Sequence, residues 1–295
     1  MQTLQSKTAV ITGGTRGLGL AVARAFLDAG ANVVVSSRTD QAVQSALDAL
    51  ASQGFPAERM AGTACDVAVF EQVQALADFA ITRFGGFEIW INNAGLSAPY
   101  GPTAHVPVET FRAVLNTNIL GTYHGSQVAL AHFLPRRQGK LINLLGAGDK
   151  KPVPYQNGYA STKSWMRVFT LALAKEYRSS GVDIFAYNPG LMFTEMVEKV
   201  DALAGYEKRV RMLETVLRMW GQPAQVPAQK MVWLASADSD GKTGTVYREL
   251  SSGRILRGAL AELGRRLMKQ NPSEPRLKIN SIQPALPDIP LPGKK

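Results

Sequence analysis

The sequence predicts an α/β fold built on a doubly wound parallel sheet of seven strands. Short runs rich in apolar and β-branched residues alternate with longer stretches of helical periodicity, which is the pattern of consecutive βαβ units. Several runs are continuously apolar, as strands buried on both faces of a sheet are. The composition agrees with a globular chain, because 45% of the 295 residues are hydrophobic and 19% are charged.

The predicted strands occupy residues 8–12, 32–36, 60–65, 87–91, 140–145, 182–187 and 245–250. Helical spacing of apolar residues predicts helices over 18–29, 42–53, 70–84 and 159–178. The alternation is unbroken and no internal repeat interrupts it. We therefore expect one domain over residues 1–250.

The pattern changes after residue 250. Four leucines recur at three- and four-residue steps among basic residues, at Leu256, Leu260, Leu263 and Leu267, and predict an amphipathic helix over 251–270. Six prolines between 271 and 295 then predict a flexible or extended tail. The domain thus carries a C-terminal helical extension.

Charge and cysteine content exclude several classes. The net charge is +10, but residues 251–295 carry +6 of it, which leaves too little on the remaining chain for a nucleic-acid enzyme. No apolar run approaches the ~18 residues of a membrane span. The single cysteine, Cys65, permits no intrachain disulfide, so we expect a cytoplasmic protein. The basic helix leaves weak contact with a membrane surface, through residues 255–269, as an open alternative.

A glycine-rich turn follows the first predicted strand and opens the first helix. Its candidate binding residues are Gly13, Thr15, Arg16, Gly17, Leu18 and Gly19. Such a turn lets a pyrophosphate approach the backbone at a helix N-terminus. The spacing G-x-x-x-G-x-G differs from the commoner dinucleotide pattern G-x-G-x-x-G, and an ordinary strand-to-helix turn remains the alternative.

The end of the second strand bears on the choice of cofactor. An acid at this point would bond a ribose 2′-hydroxyl, whereas a base accommodates a 2′-phosphate, and here Ser37 is followed by Arg38. Arg16 would add a second guanidinium against the same phosphate. The sequence therefore predicts NADP(H); the alternative is that both arginines are merely solvated.

Tyr159 and Lys163 stand four residues apart and share one helix face. A neighbouring ammonium favours the phenolate, so we expect Lys163 to lower the pKa of Tyr159 and make it a proton donor to a carbonyl oxygen. Without the other motifs, a structural helix face would be the simpler interpretation.

Taken in this order, the motifs resemble those of the short-chain dehydrogenase/reductase family over residues 5–250. The other matching positions are Asp66, Val67, Asn93, Ala94, Gly95, Asn118, Pro189, Gly190 and Thr194. The resemblance implies a Rossmann fold, a nicotinamide cofactor held by these residues, catalysis by Tyr159, Lys163 and Asn118, and a homodimer or homotetramer.

One position departs from the family pattern. The family's catalytic serine corresponds to Gly146, and no serine lies between Gln127 and Tyr159. Losing one hydrogen-bond donor to the substrate carbonyl would lower the rate by about 10²–10³, unless Asp149 or Asn157 substitutes. Residues 145–148 resemble the corresponding segment of chlorophyll b reductases, a subgroup of the same family. This resemblance implies that the reduced carbonyl could be the formyl group of a tetrapyrrole.

The family's substrate lid corresponds to residues 191–221. It is rich in apolar side chains here: Met192, Phe193, Met196, Leu203, Tyr206, Met212, Leu213, Leu217, Met219 and Trp220. These side chains favour a bulky, hydrophobic carbonyl substrate, although a lid helix packed on the core explains them equally well. His105, His124 and His132 lack metal-ligand spacing, so we predict no metal.

Two functions follow. The first is an NADPH-dependent reductase in which Tyr159 protonates a carbonyl oxygen of a small-molecule substrate. The second is a catalytically impaired relative that binds NADP(H) as a regulator or scaffold, with Gly146 as its evidence and the retained Tyr159 and Lys163 against it.

Overall fold

The structure, a computed structural model, describes residues 3–194, 199–268 and 277–286. Seven strands form one parallel sheet: β1 (Thr8–Ile11), β2 (Asn32–Ser37), β3 (Met60–Ala64), β4 (Ile89–Asn92), β5 (Gly139–Leu144), β6 (Val182–Asn188) and β8 (Val246–Arg248). Their order is β3-β2-β1-β4-β5-β6-β8, which reverses direction at β1. The predicted doubly wound seven-stranded sheet is confirmed, and all seven predicted strands belong to it.

Helices cover both faces of the sheet. Their bounds are α1 (Gly17–Asp28), α2 (Asp40–Ala51), α3 (Phe70–Phe84), α4 (Val108–Leu115), α5 (Gly121–Phe133), α6 (Asn157–Glu176), α7 (Glu207–Val210), α8 (Met212–Trp220), α9 (Gln225–Ala235) and α10 (Ser252–Leu267). A π-helical turn over Asn116–Leu120 joins α4 to α5. Short 3₁₀ segments lie at Ala57–Arg59, Thr103–His105 and Ala237–Ser239.

Each face of the sheet has its own apolar core because successive strand residues point to opposite sides. Val33 and Val35 pack in the core that contains α1 and α9, whereas Val34, between them, packs in the core that contains α3 and α5. All three valines are fully buried. The continuous apolar runs of the sequence therefore arise from a sheet covered on both sides.

The structure differs from the expected tail at residues 278–282. There the chain forms a strand, β9 (Lys278–Ile282), which pairs in parallel with β7 (Lys199–Leu203) in a second, two-stranded sheet. The strand contains no proline, so every backbone N–H that the pairing needs is present. Leu277 is buried next to Val200 in a small core. The rest of the Pro-rich segment, residues 271–276 and 287–295, lies outside the described residues.

Helix α10 packs on α8 with its polar side. Glu262 is 8% exposed and accepts hydrogen bonds from Arg265 and Arg266, while Arg218 of α8 lies 3.5 Å away. Gly258 lies directly against α8 at Trp220. The four leucines that predicted the helix face outward instead of into the core. No helix in the described part of the chain combines the length and apolarity needed to cross a membrane.

Candidate active site

One cavity of about 780 Å³ opens at the carboxyl ends of the parallel strands. This edge is where open α/β sheets bind ligands, next to the point at which the strand order reverses. All eighteen residues predicted to bind the cofactor line the cavity: Gly13, Thr15, Arg16, Gly17, Leu18, Gly19, Ser37, Arg38, Asp66, Val67, Asn93, Ala94, Gly95, Tyr159, Lys163, Pro189, Gly190 and Thr194. The fold thus brings together residues from six separate segments of the chain.

The glycine turn is packed against the loop after β4. Gly13 has a φ of +62°, and a Cβ there would lie 2.9 Å from the Cα of Ala94. A Cβ on Gly19 would lie 2.3 Å from the Gly13 carbonyl oxygen. The Asn93 side chain donates to the carbonyl oxygens of Thr12 and Gly13, both at 2.8 Å. Only glycine suits these positions, because backbone fills the space of a side chain.

The N-terminus of α1 is open to an anion. Arg16 precedes the helix in an extended conformation, its own side chain does not cap the first turn, and the first turn holds no acidic residue. The unpaired N–H groups and the helix dipole there favour a phosphate group. Arg38, exposed at the end of β2, adds positive charge on the same cavity. The residues present therefore fit a dinucleotide.

Tyr159 fills the space next to Gly146. A Cβ placed on Gly146 would lie 2.2 Å from the Tyr159 hydroxyl oxygen and 3.1 Å from Cζ. The Lys163 Nζ lies 5.5 Å from the centroid of the Tyr159 ring and donates to the Leu144 carbonyl oxygen at 2.9 Å. The hydrogen bond to the backbone of β5 thus holds the Lys163 ammonium near the Tyr159 ring.

The pKa values of this pair differ from the expected ones. Burial, with a smaller contribution from Asp149, raises the pKa of Tyr159 to about 12. Burial lowers the pKa of Lys163 to about 8. The expected lowering of the Tyr159 pKa is not found for the protein alone, because burial of the phenol dominates the shift. The phenol is consequently protonated at neutral pH.

Asn118 does not line the cavity. It is fully buried in the π-helical turn, where its Oδ1 accepts from the Leu96 N–H at 2.8 Å. Its Nδ2 donates to the Leu96 carbonyl and to Thr162 Oγ1, both at 3.0 Å. Leu96 does line the cavity. The Asn118 side chain therefore positions a cavity loop.

Neither expected substitute for the serine reaches the cavity. The Asp149 carboxylate is buried, accepts from Asn188 at 3.1 Å and lies 2.5 Å from Arg248. Asn157 is exposed and donates to Thr103 at 2.9 Å. The polar side chains that do line the substrate side were not predicted; they include Ser97, Tyr100, Gln156 and Arg209. No local motif marks them, since they come from loops far apart in sequence.

The lid residues divide into two groups. Met192, Met212 and Leu213 line the cavity, as Val216 does. By contrast, Leu203, Tyr206 and Leu217 are at most 2% exposed and are not among the lining residues. Met196 lies outside the described residues. Some apolar lid side chains are therefore exposed to the cavity, and others are buried in the lid's own packing.

The histidines lie away from the cavity. His132 stacks on Phe87 with ring centroids 4.0 Å apart, His124 lies 3.0 Å from the Val67 carbonyl oxygen, and His105 is buried. Within the described ranges, no three His, Cys, Asp or Glu side chains are grouped as metal ligands. Cys65 does line the cavity, and burial raises the pKa of its thiol to about 11.

Comparison with known proteins identifies relatives of the chain. The short chain dehydrogenase family model matches residues 7–204. The chain is 35% identical to 3beta-hydroxysteroid dehydrogenase 1 of Eggerthella lenta over 248 residues, 82% of this chain and 91% of that protein. It is 32% identical to a probable chlorophyll(ide) b reductase of Oryza sativa over 207 residues, 65% of this chain and 41% of that protein.

A solved structure has the same architecture. A short chain dehydrogenase from Mycobacterium smegmatis superimposes with a TM-score of 0.71 at 25% identity, covering 85% of this chain and 95% of that one. The family match, the relatives and the shared sheet all agree with the fold described above. The chain belongs to the short-chain dehydrogenase/reductase family.

Proposed function

We propose that this oxidoreductase uses NADPH to reduce the carbonyl group of a bulky, apolar small molecule. The observation that carries the proposal is the Tyr159–Lys163 pair, held beside the glycine turn in one cavity whose opposite side is apolar. Family membership supports chemistry on CH–OH and C=O groups, whereas the cofactor preference and the substrate class are our inference.

In the proposed mechanism, the loops at the strand ends hold the dinucleotide and the lid covers the substrate. When bound, NADPH supplies the hydride that reduces the carbonyl carbon. Tyr159, protonated at neutral pH because its pKa is about 12, donates a proton to the carbonyl oxygen. The Lys163 ammonium stabilises the phenolate that remains. Asn118 acts as a positioning residue through Leu96.

Arg16 and Arg38 support the preference for NADPH. Charged hydrogen bonds to a 2′-phosphate contribute about 1.5–3 kcal/mol each, which corresponds to at least a tenfold preference. Equilibrium titration of NADPH and NADH into the protein tests this, and Arg38→Asp is expected to reverse the preference. Arg24→Asp, on the exposed side of α1 and outside the cavity lining, is the matched control for net charge. Equal affinities in the wild type would contradict the proposal.

The apolar lid supports a large substrate. Met192, Met212, Leu213 and Val216 line the cavity, and flexible methionines adapt to irregular apolar shapes. Relatives include a hydroxysteroid dehydrogenase and a probable chlorophyll(ide) b reductase. A tetrapyrrole formyl group is thus one candidate within the class. NADPH consumption against a panel of large apolar and small polar carbonyl compounds tests the size preference; better turnover of the small polar compounds would contradict it.

The rival proposal is an NADP-binding regulator or scaffold that lost turnover with its serine. Gly146 favours it. The Tyr159 hydroxyl beside Gly146 favours the enzyme, because the space of the missing side chain holds the proton donor itself. We further propose a cytoplasmic homodimer or homotetramer, as the family resemblance implies.

The outward leucines of α10 support contact with an anionic membrane surface. Leu256, Leu260, Leu263 and Leu267 are 53–75% exposed. The only acid of α10, Glu262, is turned inward, while Arg257 and Arg266 are exposed on either side of the leucine stripe. This face would bring only positive charge to a second copy, whereas it complements an anionic lipid surface.

Vesicle flotation tests the contact. We expect the wild type to float with phosphatidylglycerol-containing vesicles, less at high salt, and Leu260→Glu with Leu263→Glu to abolish flotation. Val226→Glu, at a position that is 46% exposed on α9, is the control. Flotation that survives the double substitution contradicts the proposal. If the wild type does not bind vesicles and the double substitution yields a smaller oligomer than the wild type, the leucine face would instead contact a second copy of the chain.

A further inference from the structure

The substrate side of the cavity contains one charged side chain among the residues that the structure describes. Arg209, in α7, lines the cavity together with apolar lid residues such as Val200 and Val210. The other charged lining residues, Arg16, Arg38, Asp66 and Lys163, belong to the predicted cofactor side. The other lining residues on this side are apolar or uncharged, with Ser97, Tyr100 and Gln156 among the polar ones. A single charge in such a pocket fixes the orientation of what binds there.

Aromatic rings hold the Arg209 guanidinium in place. Its Cζ lies 5.2 Å from the centroid of the Tyr155 ring and 5.7 Å from that of Tyr206. The Tyr155 and Tyr206 centroids are 5.3 Å apart, and Tyr155 also lies 5.6 Å from Tyr100. The two nearer rings contact the guanidinium through cation–π interactions. Arg209 is exposed where it lines the cavity, and Tyr155 and Tyr206 therefore limit the orientations of its side chain.

The backbone conformation of Tyr155 contributes to this arrangement. Tyr155 has a φ of +65°, a left-handed conformation that non-glycine residues rarely adopt. Its carbonyl oxygen accepts from the Gly101 N–H at 2.9 Å, next to Tyr100. Strain of this kind persists where surrounding contacts enforce it and is often found at ligand sites. Here the conformation places the ring between Tyr100 and Tyr206.

The positive charge of Arg209 has no acidic partner within the described ranges. The ion pairs there include neighbouring residues such as Arg211 with Glu214, at 3.3 Å, but none involves Arg209. Its observed contacts are the two aromatic faces, which leave the N–H donors of the guanidinium edge available. A guanidinium fork matches the two oxygens of a carboxylate.

Resting on the proposed reductase function, we propose that Arg209 binds a carboxylate of the substrate at the end of the cavity away from the reacting carbonyl. The substrate class is then an apolar keto or formyl compound that also carries an acid group. A carboxylate is favoured over a phosphate because one weakly hydrated cation among tyrosine rings neutralises a single negative charge. The apolar lid contacts the skeleton between the two groups.

Equilibrium binding tests the inference. The probes are a polycyclic keto acid and its methyl ester, titrated into the NADP-loaded protein by calorimetry. We expect the wild type to bind the acid about tenfold to a hundredfold more tightly than the ester, as charged hydrogen bonds imply. Arg209→Gln is expected to remove this difference and leave ester affinity unchanged. Lys208→Gln, an exposed neighbour outside the cavity lining, is the control and keeps the difference.

Steady-state kinetics separate this inference from the reductase proposal. If the acid is reduced, Arg209→Gln is expected to raise KM for the acid with little change in kcat, as loss of ground-state binding does. Equal affinity of wild type for acid and ester, or a preference that survives Arg209→Gln, overturns the Arg209 site. Discrimination in binding without any NADPH consumption would instead retain the site and overturn the reductase.

Discussion

The two halves of the cavity are built in different ways. On the cofactor side, loops directly after the strands of the large sheet meet backbone to backbone, so that a Cβ on Gly13 or Gly19 would contact main-chain atoms at 2.9 Å or less. On the substrate side, the lid strand β7, within residues 191–221, pairs with β9 of the C-terminal segment in a separate two-stranded sheet. The first half depends on local chain geometry, and the second depends on a contact between segments almost 80 residues apart.

This difference has a functional consequence. On the cofactor side, backbone contacts at Gly13 and Gly19 leave no room for a larger side chain. The lid can change its side chains without disturbing the sheet, because its small core, which includes Leu277 and Leu217, is separate from the two cores of the sheet. Relatives that share the fold but bear different substrate names agree with such a division.

The largest effect is expected from removing the proton donor that stands between the two halves. Tyr159→Phe should lower carbonyl reduction by about 10²–10⁴, the contribution of general acid catalysis. NADPH affinity should change little, since the phenolic oxygen is the only atom lost. Stopped-flow reduction and cofactor titration measure both. Lys163→Ala is the comparison and should lower both carbonyl reduction and NADPH affinity. Full carbonyl reduction by Tyr159→Phe would exclude the mechanism.

A smaller loss is expected from Gly146→Ala. The new Cβ would lie 2.2 Å from the Tyr159 hydroxyl, so the tip of that side chain must move. Misplacing a reacting group by about 1 Å can cost about 10²-fold in rate. Tm should change little, because the atom that moves is the end of a side chain.

Gly253→Ala, at a position with open space around it, is the control for the Gly146 substitution. Gly146→Ser should also lower turnover. A serine that raised activity on small ketones would support the regulator or scaffold alternative.

The pH dependence of kcat/KM should show a smaller effect, a decrease of about tenfold per pH unit in alkaline solution. Burial lowers the pKa of Lys163 to about 8, so the ammonium is charged below that pH and loses its proton above it. Tyr159, with a pKa of about 12, stays protonated throughout. For the free enzyme, kcat/KM should therefore be level below pH 8 and fall about tenfold per unit above it. In Lys163→Arg the fall should disappear; a flat wild-type profile up to pH 10 would contradict the assignment.

The smallest effect on turnover is expected from loosening the lid alone. Leu277 is 5% exposed, and its truncation to Ala should cost about 2–5 kcal/mol of local packing free energy. KM for the carbonyl substrate should rise several-fold, while the NADPH Kd stays the same. Leu286→Ala, at a position that is 48% exposed in the same segment, is the matched control. A parallel loss of cofactor affinity would show that the halves are coupled.

Sequence reasoning predicted that the eighteen candidate residues lie close together, and all of them line one cavity. Most lie in short motifs at strand ends, which parallel topology brings to one edge of the sheet. Asn118 shows the limit of this reasoning, because its motif was recognised but its side chain turned out to be buried on Leu96 and Thr162. The position of a motif indicates which residues lie near the cavity, whereas packing decides whether a given side chain points into it.

The sequence by itself determined the seven strands, the glycine turn and the shared helix face of Tyr159 and Lys163. Each follows from chain geometry over a few residues, such as the period of a strand or the four-residue step of a helix. Tertiary structure alone decided that β9 pairs with β7 and that the Tyr159 hydroxyl fills the space beside Gly146. It also decided that α10 packs by its polar face and that two tyrosine rings contact Arg209. These contacts join segments far apart in the chain. They depend on how well the side chains pack and on the cost of burying polar groups, which no local sequence pattern indicates.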